Sequence, residues 1–180
     1  DSAAPGNDYA VTFTEGGSAV YIADADISIT DAENTNLVSA TITVNAVESG
    51  DLLTVGAIPA GITASAYDPV TGIITLSGSA SLADYQTAIR AVQFSNDGST
   101  VSLNRSIDVV VSDGTDNSAV ASTDVTLVTL PTVSITDVSV QEPSSGTTTM
   151  VFTIAIDEVL GSDLTFDYAT ADISALAGTD

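Results

Sequence analysis

Residues 37–47 read Leu-Val-Ser-Ala-Thr-Ile-Thr-Val-Asn-Ala-Val. From Val38 onward an apolar side chain falls at every second position: Val38, Ala40, Ile42, Val44 and Ala46. A period of two puts that set on one face of an extended strand, with mostly polar residues on the other. This strand anchors an all-β reading, and the rest of the chain extends it. Upstream, Tyr9-Ala-Val-Thr-Phe-Thr14 alternates in the same way, Glu15-Gly-Gly17 interrupts it, and Ser18–Ile22 resumes. Downstream, Ile58-Pro-Ala-Gly61 reads as a turn. Asp68-Pro-Val-Thr-Gly72 separates Thr63–Tyr67 from Ile73–Ser77 and marks a hairpin, because Pro presets one turn dihedral and Gly tolerates positive φ.

One helix is expected. Ser81-Leu-Ala-Asp84 is a capping-box variant ahead of Tyr85-Gln-Thr-Ala-Ile-Arg-Ala91. Strands follow at Val92–Phe94, Arg105–Ser112 and Ala119–Val128, the last two joined by the loop Asp113–Ser118. Short strands with frequent turn signals argue a sandwich. Leu130-Pro131 reads as a linker, which divides the chain into residues 1–129 and 132–180. In the second segment Thr148–Asp157 alternates, with Met150, Phe152, Ile154 and Ile156 expected to face inward, and Leu164–Thr170 reads as a further strand. So few strands cannot close a sandwich of their own.

Composition narrows the chemistry. The 180 residues carry 24 Asp plus Glu against two basic residues, Arg90 and Arg105, with no Lys, His or Cys and a net charge of −22. Nucleic acids and anionic membranes need Lys and Arg on the protein, so both are disfavoured as partners. No stretch has the ~20 apolar residues of a membrane span. The many serines have no His or Lys to activate them, so the chain is not expected to be an enzyme. Such crowding of carboxylates implies self-repulsion that cations or salt must offset. Oxygen-only coordination of a hard cation, calcium above all, is the one site this inventory builds well. The first residues, Asp1-Ser-Ala-Ala-Pro-Gly6, lack an initiator Met and read as a processed product or a piece of something longer.

Two family resemblances rest on ordered sets of residues. Residues 9–129 carry Tyr9-x-x-x-Phe13-Thr-Glu15-Gly-Gly, Ala23-Asp-Ala-Asp26, Thr30-Asp31-Ala-Glu33 and Pro59-Ala-Gly61-Ile. They continue with Tyr67-Asp-Pro-x-Thr-Gly72-x-x-Thr-Leu-Ser-Gly78, Ala83-Asp-Tyr-Gln86 and Val111-Ser-Asp-Gly114. This segment resembles a bacterial cadherin-like domain of large surface adhesins. Residues 131–180 carry Pro131-Thr-Val-Ser-Ile-Thr-Asp137, Val140-x-Glu142, Asp167-Tyr-Ala-Thr-Ala-Asp172 and Ala177-Gly-Thr-Asp180, and resemble the first half of a Calx-beta domain. Pro143 stands where that family has a small residue, and Ile173 where it has glycine. The resemblance implies a Greek-key, cadherin- or Ig-like β-sandwich with one short helix, followed by an incomplete second β-sandwich. It also implies calcium association and an extracellular place on a bacterial cell surface.

The candidate calcium ligands are Glu15, Asp26, Asp31, Glu33 and Asp113, which share one pole if the strand ends converge there. Asp31 and Glu33 lie two residues apart and point the same way in an extended segment. The same carboxylates read alternatively as a solvated acidic rim. In the second segment Glu142, Asp172 and Asp180 match positions that resemble family ligands, beside the reading of exposed loop acids. Arg90 and Arg105 are each expected to pair with local carboxylates, and the few aromatics are expected in the core. The function so implied is a structural or adhesive module of a repeat protein, stiffened by Ca2+, with neighbouring modules or copies of itself as partners. The alternative is a filament or oligomer subunit whose second domain a neighbouring chain completes by strand addition. A carbohydrate-binding accessory module stands third.

Overall fold

The computed structural model describes residues 9–97, 104–141, 143–157 and 165–169. The chain divides into two compact units, Asp1–Leu130 and Pro131–Asp180. In the first, the elements run β1 (Tyr9–Thr14), β2 (Val20–Tyr21), β3 (Asn36–Asn45), β4 (Asp51–Val55), β5 (Thr63–Ala64) and β6 (Ile73–Ser81). Helix α1 (Leu82–Arg90), β7 (Val92–Asn96), β8 (Arg105–Ser112) and β9 (Ala121–Val128) follow. A six-stranded sheet has the order β1-β9-β8-β3-β6-β5, and a three-stranded sheet the order β2-β7-β4. The path from β1 to β2, β3 to β4 and β7 to β8 crosses between sheets each time, which is the Greek-key connectivity of a sandwich. β1 runs parallel to β9, Tyr9 beside Thr123 through Thr14 beside Val128, while the other pairings are antiparallel.

Alternation builds the core. Phe13, Ala40, Ile42, Val44, Ile74, Leu76, Ile107 and Val125 come inward from the large sheet, and Leu53, Val92 and Phe94 from the small one. The Phe13 and Phe94 rings meet edge to face across the two layers, centroids 5.9 Å apart and planes at 83°. Burying a side chain of this size contributes roughly 2–3 kcal/mol. Helix α1 closes the core with Tyr85, Ala88 and Ile89. Its start is the expected cap: Ser81 Oγ accepts the Asp84 N–H at 3.2 Å and donates to the Asp84 carboxylate at 2.7 Å. The 68–72 hairpin also forms as read. The Asp68 carboxylate accepts the Val70 N–H at 2.9 Å, and Gly72 takes φ +72° to turn into β6.

Two phases differ from the sequence reading. Along β3 the register against β6 slips between Leu37 and Ser39, so Leu37 is buried and Val38 is 38% exposed. Gly78, opposite the slip, has φ +137°, and a Cβ there would lie 1.9 Å from the Gly61 carbonyl oxygen. No other residue fits so close an approach. At the other end β3 stops at Asn45, and Ala46, expected inside, is exposed with φ +50°. The Ser18–Ile22 segment forms only two residues of strand, Val20–Tyr21.

In the second unit β10 (Val133–Ile135) pairs antiparallel with β11 (Ile154–Ile156). The expected inward face of residues 148–157 is a correction. Met150, Phe152, Ile154 and Ile156 are all exposed, 41–52%, and only residues 154–156 pair as strand. Alternation supplies a face but no layer to bury it. Residues 165–169 of the expected strand 164–170 are irregular, and its two end residues lie outside the described residues.

Candidate functional site

The acidic stretch after β2 has no strand of its own, yet it is fastened to the domain. Gln86 Nε2 donates to the Ile27 carbonyl at 2.9 Å, Arg90 Nη1 to the Ala25 carbonyl at 3.0 Å, and the Leu82 N–H to the Thr35 carbonyl at 3.4 Å. Ile27 and Ile29 pack against the core from this stretch. The helix thus holds residues 25–35 in place, and with them most of the expected ligands.

Within the stretch, Asp31 Oδ1 accepts the N–H groups of Glu33 at 2.8 Å and Asn34 at 3.0 Å, a self-capped turn. Asp113 builds a matching turn after β8, accepting the N–H groups of Thr115 at 2.7 Å and Asp116 at 2.8 Å. The Asn34 amide donates to the second Asp113 oxygen and so ties the two turns together. Bonds from Asp116, Thr115 and Asn34, in that order of weight for the backbone donors, hold the Asp113 carboxyl below the usual carboxylate range. Asp24 and Asp26 form a neighbouring carboxyl pair. Their shared hydrogen bond lowers Asp24 and raises Asp26, so that Asp26 is the one that keeps a proton longer.

Of the five expected ligands, then, Asp31 and Asp113 are linked through Asn34, Glu33 meets Asp31 through its backbone N–H alone, and Asp26 pairs with Asp24. Glu15 serves elsewhere: its carboxylate accepts the Leu130 N–H at 2.9 Å, and its own N–H donates to Val128 at 2.8 Å. Those two bonds fasten the end of β1 to the end of β9. Among the described residues no three acidic side chains gather closely enough to hold a metal ion. A calcium ion takes 6–8 oxygens. At the Asp31–Asn34–Asp113 link most of those would have to be carbonyls and water. Glu142, Asp172 and Asp180 lie outside the described residues.

The sequence reading expects Arg105 to pair with carboxylates but not to be buried. Arg105, 2% exposed, donates from Nε to Asp51 at 2.7 Å and from Nη2 to Glu48 at 3.1 Å. Asp51 is buried as well and also accepts Asn96 Nδ2 at 2.8 Å and the Glu48 N–H at 2.9 Å. Asp51 and Asn96 face each other on β4 and β7, whereas Arg105 opens β8, so the network bolts one sheet to the other. Pairing with local carboxylates is found for Arg105. Arg90 instead bonds a carbonyl and a hydroxyl, Ala25 O and Thr87 Oγ1, and makes no ion pair among the described residues. A signal for the buried pair exists in the sequence. Arg105 lies in phase with Ile107, Val109 and Val111, and Asp51 in phase with Leu53 and Val55, so opposite charges sit on two inward faces.

Among the described residues no helix is long and apolar enough to cross a membrane. No family model matches the chain, and no solved structure matches it. A similar protein is halomucin of Haloquadratum walsbyi, 33% identical over 99 residues, which cover 53% of this chain and 1% of that protein. The chain therefore spans a very small fraction of the length of the relative it matches.

Proposed function

We propose that this chain is a load-bearing extracellular module of a very long bacterial or archaeal surface protein, and not an enzyme. The observation that carries the reading is the match to one hundredth of halomucin's length, a share that fits one unit among many in a very long chain. A closed sandwich whose layers are joined by a desolvated ion pair suits a stiff spacer. So does a side-chain inventory without His, Lys or Cys. The charge of −22 fits the same place. It repels other acidic modules and keeps a long chain solvated, provided ions offset the self-repulsion.

The finer reading is that Ca2+ at the Asp31–Asn34–Asp113 link draws the two turns together and stiffens the pole. Binding to the folded state alone stabilises by mass action. Melting the protein in excess chelator, in millimolar Ca2+ and in molar NaCl tests both forms. A melting temperature restored by Ca2+ but not by equal ionic strength of NaCl supports calcium. Equal restoration by NaCl supports general screening. A melting curve unmoved by all three ends both.

A second reading has its own observation. Ile154 and Ile156 stand exposed with Val133 and Ile135 on a two-stranded sheet, and Met150 and Phe152 are exposed in the irregular segment just before it. Strand addition from a neighbouring chain would cover them and give a filament or oligomer. Light scattering after size exclusion decides it: a concentration-dependent rise in mass supports exchange, and a strict 18.1 kDa monomer excludes it as obligatory.

A further inference from the structure

With 24 acidic residues in the chain, a surface depression free of them stands out. One such depression, about 340 Å3, is lined by Tyr21, Gly56, Thr87, Arg90, Ala91 and Gln93, and no Asp or Glu lines it. Its parts come from three elements. Tyr21 on β2 and Gln93 on β7 are register partners and stand side by side. Thr87 and Arg90 belong to the last turn of α1. The Gly56 N–H donates to the Ala91 carbonyl at 2.9 Å and closes the rim between them.

Arg90 is held rather than free to swing. Nη1 donates to the Ala25 carbonyl at 3.0 Å, and Nη2 lies 3.5 Å from Thr87 Oγ1, whose own proton goes to the Ala83 carbonyl at 2.9 Å. A guanidinium has five donors, so these contacts leave others open, and neither partner neutralises its charge. A fixed fork of this kind takes a carboxylate through two parallel bonds. Beside it Tyr21 is 54% exposed and offers a ring face, while Gln93 and Thr87 offer donors and acceptors suited to hydroxyls. The volume lies at the low end for ligand sites, which limits it to a small ligand.

The geometry points to a subsite for an acidic sugar: a uronate residue of a glycan, its carboxylate on Arg90 and its ring on Tyr21. This is a binding activity beyond the spacer role and does not depend on it. The counterforce is the field of the whole chain, which repels anions at low salt and is shortened to about 8 Å at 0.15 M ionic strength. A ligand of this size on so open a site binds with a Kd on the order of 1 mM.

The test is an amide-resolved NMR titration of the full chain in 0.15 M NaCl with sodium glucuronate, and in parallel with glucose and with sodium acetate. The expected result is saturable shifts at Gly56, Ala91 and Gln93 with glucuronate. Glucose and acetate should be at least fivefold weaker. Arg90→Gln and, separately, Tyr21→Ser should each weaken glucuronate at least fivefold. Tyr21 is exposed and leaves the Arg90 contacts intact, so that variant reports on the site even if Arg90→Gln loosens the 25–35 stretch. The proposal is overturned if glucuronate shifts none of these amides, if acetate or glucose matches it, or if the Tyr21 variant binds as tightly as the parent.

Discussion

Replacing Arg105 by Met removes the guanidinium and keeps an unbranched apolar stem. Asp51 then stays in a place where its side chain is 0% exposed, facing the apolar core instead of a cation. Two of its donors survive, Asn96 Nδ2 at 2.8 Å and the Glu48 N–H at 2.9 Å. Breaking a buried pair by deleting one member costs ~3–5 kcal/mol, and the surviving donors place this case at the low end, ~3 kcal/mol. For a unit of this size 1 kcal/mol moves the melting temperature by about 3–5 °C, so a fall of ~10–15 °C is expected by calorimetry. Buried charges are screened little, so the loss should be equal in 0.15 M and 2 M NaCl, even where screening of the surface charge shifts the parent's own melting temperature. The double variant Arg105→Met with Asp51→Asn removes the buried carboxylate charge but keeps an amide oxygen to accept from Asn96 and Glu48, and should recover part of the loss. A single variant that shifts by less than about 3 °C, or a double variant no better than the single, would refute the cross-sheet bolt.

Further outcomes follow from other contacts. Ser81→Ala deletes the α1 cap and should cost about 1 kcal/mol in urea unfolding, with Ser81→Asp restoring most of it. Gly78→Ala puts a methyl 1.9 Å from a backbone oxygen at positive φ; a soluble variant should be destabilised by at least ~2 kcal/mol, and a neutral result would mean the β3–β6 slip is placed wrongly. The Tyr67 hydroxyl is buried without a hydrogen-bond partner among the described residues, so Tyr67→Phe should leave the melting temperature unchanged or higher. Burial, then Asp51 and Asp68, raise the Tyr67 pKa above 10.0, so its contribution is whole below that value and is lost as pH climbs through the folded-state pKa; the Phe variant should unfold less steeply in alkali. Asp113 works in the opposite sense. Its folded pKa is lowered, so its contribution is present above 3.8 and is lost as pH falls through the folded value, and Asp113→Asn should flatten the acid limb of a pH–stability curve.

Local rules made much of the first unit readable. Ser81 with Asp84 capped a helix where the sequence placed one, Pro69 with Gly72 turned the hairpin, and residues 105–112 formed the strand expected of them. What escaped depended on partners distant in sequence. The phase of Val38 is decided by Gly78 meeting Gly61, which no alternation within 37–47 reveals. In the second unit, perfect alternation at 148–157 could not make a strand beyond what Val133–Ile135 pairs with. The candidate site was half legible. Asp31 and Asp113 stand out in the sequence by their charge, but the amide that joins them, Asn34, carries none. An acidic residue at a strand end, Glu15 reads as a ligand from the sequence; the Leu130 N–H that it accepts lies 115 residues away.

The parallel partnership of β1 and β9 decides how the module meets force. The chain enters beside Thr123 at Tyr9 and leaves beside Thr14 at Val128, so it comes in at one pole and goes out at the other. Tension along a tethered string would drag β1 down and β9 up, sliding one past the other lengthwise. Six paired positions, with the Glu15–Val128 and Glu15–Leu130 bonds beyond them, then take the strain together instead of parting one by one as in a zipper. The seam where the ends meet is a shear lock, loaded in its strongest direction by the very pull that a cell-surface tether would feel.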